Sequence, residues 1–219
     1  FRSPAPAYLG YPQGMKTLSR IVCLLLLGIA LSACVAERLA PGPGPATPIF
    51  MDQGHWRAAD GFVLAHSEWS APGARTVIVA LHGMNDYGRF ITDAALYWQK
   101  QGIATYAFDQ RGFGRTEGNG RWPGHDVMAS DVGTFLGLVR ARHPGARIFL
   151  LGESMGGAVA TLAAARSGPK LADGLILVSP AYWGWSNLDI VKRAALWTMM
   201  QLAPGSRLTG RGLNIRPSD

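Results

Sequence analysis

The 219-residue chain is 48% apolar and only 16% charged, a balance that builds a folded core and excludes an intrinsically disordered chain. Its formal charge is +7, but the Lys and Arg residues are scattered, without the stripe or patch that a nucleic-acid footprint needs. The two cysteines, Cys23 and Cys34, both lie near the N-terminus, so neither a disulfide framework nor a zinc site is available to the folded part.

In chain order, residues 1–14 are an upstream extension rich in Pro and Gly, and Met15 has the character of a start. Lys16 and Arg20 precede the apolar run Ile21–Leu31, and Ser32-Ala33 follow it. Residues 15–33 therefore have the three parts of a secretory signal peptide. The run is too short for a transmembrane helix, which needs about 20 apolar residues. Leu31-Ser32-Ala33-Cys34 resembles the bacterial lipobox, which implies a diacylated Cys34 as the first mature residue and a lipid-anchored protein in the bacterial cell envelope. Val35 after that cysteine, by resemblance to proteobacterial lipoproteins, implies the outer membrane. Residues 34–48 carry Pro41, Gly42, Pro43, Gly44, Pro45 and Pro48 and are expected to be a semi-extended tether.

The folded part is expected over 49–219. Ile49–Arg57 and Phe62–Trp69 read as strands with Asp60-Gly61 at the turn. Thr76–Leu81 is a continuous apolar run of the kind buried on both faces of a sheet, and it ends in His82-Gly83-Met84-Asn85. A helix with Ile91, Ala94, Ala95 and Trp98 on one face follows, and Gly102 stops it. Ile103–Phe108 is the next strand. It leads into the Gly-rich loop Asp109-Gln110-Arg111-Gly112-Phe113-Gly114-Arg115-Thr116. Val127–Arg142 reads as an amphipathic helix with Met128, Val132, Phe135, Leu136 and Val139 inward. Then come a strand into Gly152-Glu153-Ser154-Met155-Gly156-Gly157, a helix to about Ser167, and a strand at Leu175–Val178. Alternating strands and helices predict an α/β, doubly wound and mostly parallel sheet. Leu188–Ala203 reads as a helix that is apolar almost all round, the start of a helical cap from about residue 182.

Gly152-x-Ser154-x-Gly156 between an apolar strand and a helix is the pattern of a nucleophile elbow. A serine on a tight strand-to-helix turn projects its hydroxyl out of the backbone. Gly152 and Gly156 keep side chains out of the turn, and the helix N-terminus offers free N–H groups where an oxyanion forms.

Together with His82-Gly83 and Asp109-x-Arg111-Gly112-x-Gly114-x-Thr116, this motif resembles the α/β-hydrolases. More narrowly it is similar to the monoacylglycerol lipase / lysophospholipase branch, the serine aminopeptidase S33-type family. That family usually has Ser where Thr116 stands and often His where Glu153 stands. The resemblance implies Ser154 as the nucleophile of acyl transfer and the backbone N–H groups of Met84 and Met155 as the oxyanion hole. It gives His82 a role in shaping the oxyanion loop, and Asp109 and Arg111 one in bracing it. His55, His66, His125 and His143 read as surface or loop histidines, and the pair His125-Asp126 is set aside on the same ground.

The family's acid and base follow the nucleophile in the chain, and no histidine follows Ser154. Asp173, Asp189 and Asp219 do not stand at the end of a later strand. The chain is therefore expected to be a C-terminally truncated form, inactive alone. The apolar, Trp- and Met-rich cap suits a lipid-like ester, monoacylglycerol or lysophospholipid. Two other readings stay open: a membrane-tethered, non-catalytic binding protein, and another α/β-hydrolase activity such as peptide cleavage. Without a Walker motif, metal-ligand cluster or dinucleotide fingerprint, no cofactor and no metal are expected. The expected partners are an ester substrate and, through Cys34, a membrane; the oligomeric state is not legible.

Overall fold

A computed structural model describes residues 38–182 and 188–202, which belong to two separate units. The leader, Cys34, residues 183–187 and the stretch from Ala203 to Asp219 lie outside the described residues.

In the first unit, β1 (Ile49–Met51), β2 (His55–Arg57) and β3 (Val63–Trp69) precede β4 (Thr76–Leu81), α1 (Thr92–Lys100), β5 (Ile103–Phe108), α2 (His125–Arg142), β6 (Arg147–Glu153), α3 (Met155–Ser167) and β7 (Gly174–Val178). They form one seven-stranded sheet in the order β1-β2-β3-β5-β4-β6-β7. The first three strands run antiparallel to their neighbours, and β5, β4, β6 and β7 are parallel. The parallel half has the expected doubly wound character. The expected single strand over Ile49–Arg57 is instead a small hairpin. Asp52–Gly54 turn the chain with Gln53 and Gly54 at positive φ, and Met51 pairs with His55.

Side-chain alternation along β4 divides the core. Val77, Val79 and Leu81 face one side with Ala104, Tyr106 and Phe108 of β5 and Ile148 and Leu150 of β6. There they meet Met128, Val132, Phe135, Leu136 and Val139 of α2, all buried as the 3.6-residue spacing predicts, and Val159, Ala160 and Ala163 of α3. Ile78, Ala80, Ala107 and Leu151 face the other side, where Phe90, Ile91 and Trp98 cover them. The chain leaving β4 thus turns to one face and the chain leaving β6 to the opposite face. Two adjacent parallel strands with diverging exits leave a crevice at their C-terminal ends, the usual place for a ligand in such a sheet.

Two further sequence expectations need correction. His66 is not a surface histidine. It sits in β3 opposite Phe108, 7% exposed, under the ring of Phe50 at 5.1 Å. The β1–β2 hairpin and α2 cover this face, so the alternation of β3 places a histidine where an apolar residue usually stands. The Pro/Gly stretch is not a free tether along its length. From Leu39 onward it is bonded to the domain: Gly44 N–H donates to the Asp60 carbonyl at 3.0 Å and Ala46 N–H to the Ala59 carbonyl at 2.8 Å.

The second unit contains α4 (Ile190–Leu202), within the expected Leu188–Ala203 helix. Its Ile190, Val191 and Trp197 are exposed.

Candidate active site

Ser154 follows β6 and caps α3 with φ 49° and ψ −114°, a backbone region that non-glycine residues rarely occupy. Such strain persists only where the surroundings fix it, and here they do so from three sides. From the β7 side, Ser154 N–H donates to the Val178 carbonyl at 3.0 Å, and Ala181 N–H donates to the Ser154 carbonyl at 2.9 Å. From the helix, Gly157 and Ala158 N–H donate to the same carbonyl at 3.1 and 3.2 Å. From below, the elbow glycines admit contacts that no side chain would. A Cβ on Gly152 would lie 2.5 Å from the Gly156 carbonyl oxygen, and one on Gly156 would lie 2.3 Å from that of Leu81.

Gly83 is the close approach on the facing loop. A Cβ there would stand 3.4 Å from Ser154 Cβ and 4.0 Å from its Oγ. The loop after β4 therefore lies directly against the hydroxyl. Met84 follows, 60% exposed, while Met155 is buried at the start of α3. As the first residue of the helix, Met155 has an N–H without an intrahelical acceptor. This brings Ser154, Gly83 and Met155 together at the switch point between β4 and β6, with Met84 next along the loop.

His82, fully buried, cannot accept a proton from Ser154. Its Nδ1–H donates to the Gly83 carbonyl at 2.7 Å, and its Nε2 accepts the Gln110 N–H at 2.9 Å. A carbonyl only accepts and an amide N–H only donates, so the tautomer is set and both nitrogens are used. Gln110 completes the clamp through Nε2–H to the His82 carbonyl at 2.9 Å. Burial holds the imidazole below its ordinary pKa and therefore neutral. Gln110 escaped the sequence reading because a glutamine between two recognisable motif residues carries no signal of its own.

Asp109 is fully buried and works as a knot. Its carboxylate accepts Gly88 N–H at 2.8 Å and Arg115 N–H at 2.7 Å, and pairs with the Arg115 side chain at 3.0 Å. Thr116 Oγ–H donates to the Asp109 carbonyl at 2.7 Å and accepts the Ala65 N–H at 3.1 Å. The hydroxyl that the family usually takes from serine is thus present on Thr116. Arg111, buried, makes two-pronged bonds to Asp131 and Asp60 at 2.6–2.8 Å.

The remaining candidates lie elsewhere. His125 and Asp126 form an exposed pair at the start of α2, and Asp126 also meets Arg166. His143, half-buried, has its Nε2 2.8 Å from the Tyr106 hydroxyl. Asp173 precedes β7 and accepts the Ile148 N–H at 2.7 Å, at the opposite end of the sheet from Ser154. Asp189 pairs with Lys192 ahead of α4. Glu153, half-buried beside the nucleophile, has its carboxyl pushed up by burial and by the charge of Asp86. Among the described residues no cluster could hold a metal ion, and no helix is long and apolar enough to cross a membrane.

The family described as serine aminopeptidase, S33, matches residues 72–219. Monoglyceride lipases of rat and human are each 31% identical over 147 residues, covering 66% of this chain and 48% of theirs. A monoacylglycerol lipase of Mycolicibacterium smegmatis is 30% identical over 133 residues, covering 60% and 47%. The chain spans about half the length of the curated relatives it matches. The solved structure of the α/β hydrolase GrgF from Penicillium shares the fold, with a TM-score of 0.56 over 75% of this chain and 55% of that one, at 23% identity.

Proposed function

The chain belongs to the serine aminopeptidase S33 family, and on that premise we propose that it is a serine hydrolase acting on lipid-like carboxylic esters through Ser154. Monoacylglycerols and lysophospholipids are the substrate class. The observation that carries this reading is Ser154 held at φ 49° on the N-terminus of α3, with Gly83 against its hydroxyl. The names of the monoglyceride lipases similar to this chain support the ester class, and the exposed apolar α4 supports a lipid-like substrate.

In this reading Ser154 Oγ attacks the ester carbonyl and forms a tetrahedral intermediate. Its oxyanion takes hydrogen bonds from the Met84 and Met155 N–H groups. Each such donor supplies roughly 3–4 kcal/mol, because it meets charge that develops only in the transition state. Collapse expels the alcohol and leaves an acyl group on Ser154, which water then removes. The proton of Ser154 needs an acceptor. All five histidines precede Ser154 in sequence, and His82, the one beside it, has both nitrogens engaged. His82 is therefore not that acceptor. Acylation of Cys34 would anchor the enzyme in the bacterial envelope, at the outer membrane, beside its substrates.

Fluorophosphonate labelling of the protein expressed from its gene tests the mechanism. The expected result is labelling at Ser154, abolished by Ser154→Ala. If the folded protein does not label, the serine is not a nucleophile and a non-catalytic binding role replaces this one.

A further inference from the structure

Residues 39–46 are tied to one end of the sheet. Leu39 N–H donates to the Trp122 carbonyl at 3.2 Å, and the Leu39 side chain occupies the space a Cβ on Gly118 would need. Gly42 N–H donates to Asp60 Oδ2 at 2.9 Å, and a Cβ on Gly42 would stand 2.3 Å from the Asp60 carbonyl oxygen. Asp60 is in turn gripped by the buried Arg111. The segment is thus continuous with the ionic network of the domain.

Register identifies which end of the sheet this is. The Asp60 turn precedes β3, and β3 runs antiparallel to β5, so the turn lies at the C-terminal end of β5. The 109–124 loop, which carries Gly118 and Trp122, leaves from that same end. Ser154 stands at the C-terminal end of β6, parallel to β5 through β4. The bound segment and the nucleophile therefore share one end of the sheet.

Around this segment the surface carries Trp122, 41% exposed, and the exposed Arg38. An aromatic ring beside a cation suits a surface that rests on anionic lipid headgroups. Chain length supplies the second argument. Cys34 precedes Leu39 by five residues, so even fully extended chain allows at most about 18 Å between them.

We infer that residues 39–46 are a fixed strap that holds the nucleophile end of the sheet, through Leu39 and Trp122, against the lipid bilayer in which the acylated Cys34 is embedded. This rests on the lipid-anchor reading above. A six-residue strand such as β5 spans about 20 Å, so the opposite end of the sheet stands clear of the headgroups. Ester substrates would then reach Ser154 from the same leaflet without crossing open water.

The test uses the full chain, lipidated in vivo and reconstituted in vesicles of phosphatidylethanolamine and phosphatidylglycerol. A fluorophore is placed at Asn119→Cys on the strap side or at Gln101→Cys before β5, the acylated Cys34 sulfur being blocked. Quenching by headgroup-level spin-labelled lipid is expected to be several-fold stronger at position 119. The contrast should collapse in Gly42→Val, which dislodges the strap, and with a long Gly/Ser insertion after Ala36. Equal quenching at 119 and 101, with acylated Cys34 confirmed by mass spectrometry, overturns the strap and leaves the anchor intact. Unmodified Cys34 overturns both.

Discussion

Gly83 and Gly156 both lie against the nucleophile turn, yet their surroundings differ in stiffness. A methyl group on Gly156 would meet the backbone carbonyls of Leu81 and His82 at 2.3 and 2.7 Å, and a strand backbone cannot retreat. One on Gly83 would meet the Ser154 side chain at 3.4 Å, an ordinary contact. Gly156→Ala is therefore expected to lose about 3 kcal/mol or more, while Gly83→Ala folds with a nearly unchanged midpoint; urea unfolding of the two variants checks the contrast. His66 provides a second residue-scale prediction. Burial lowers its pKa to about 4 from 6.5, and its Nδ1 has no hydrogen-bond partner. Below pH 6.5 the unfolded chain binds a proton that the folded one refuses, so stability falls as the pH drops toward 4. The loss by pH 4 is about 3 kcal/mol. His66→Phe, which suits the aromatic cluster of Phe50 and Phe135, should flatten that part of the pH–stability curve by this amount. An unchanged slope would mean that His66 is protonated in the folded state.

Among the elements, Arg111 joins three pieces distant in sequence: the turn before β3, the helix α2 and the loop after β5. Asp131 is almost wholly buried and Asp60 is partly covered, so removing the cation strands two carboxylates. Arg111→Met should lose about 3–5 kcal/mol, and the added change Asp131→Leu should recover roughly half, because an apolar pair tolerates burial that a lone charge does not. If the double variant is no more stable than the single one, the coupling runs through geometry rather than charge. This network also marks the limit of what the sequence disclosed. Strand β4, the inward face of α2 and the elbow were legible because local periodicity and glycine spacing encode them directly. The partners of Arg111, the clamp of Gln110 on His82 and the burial of His66 depend on segments brought together from 16 (Phe50 to His66) to 69 (His66 to Phe135) residues apart. The same is true of the strap. A Pro/Gly-rich stretch reads as a spacer, and only Asp60, 18 residues on, reveals that Gly42 is held.

At the scale of the molecule, the far edge of the sheet is the feature with the largest consequence. β7 pairs with β6 on one side, and among the described residues no strand lies on its other side. Leu175, Ile176, Leu177 and Val178 are each 38–45% exposed, on both faces of the strand. Such a run of apolar side chains on alternating faces is the pattern of an interior parallel strand, not of an edge, where charges or proline usually block pairing. Its free N–H and C=O groups stand ready to accept another strand, and a second copy of β7 offers the same apolar edge. The 219-residue chain is therefore expected to self-associate at micromolar concentration. A single lysine should suppress this without unfolding the sheet: Ile176→Lys places a charge on the exposed edge while leaving the β6 backbone ladder intact. Sedimentation velocity measures the outcome directly. A monomer in both forms would show that β7 is covered in solution, and association in both would place the sticky surface elsewhere, with the exposed apolar face of α4 as the next position to charge.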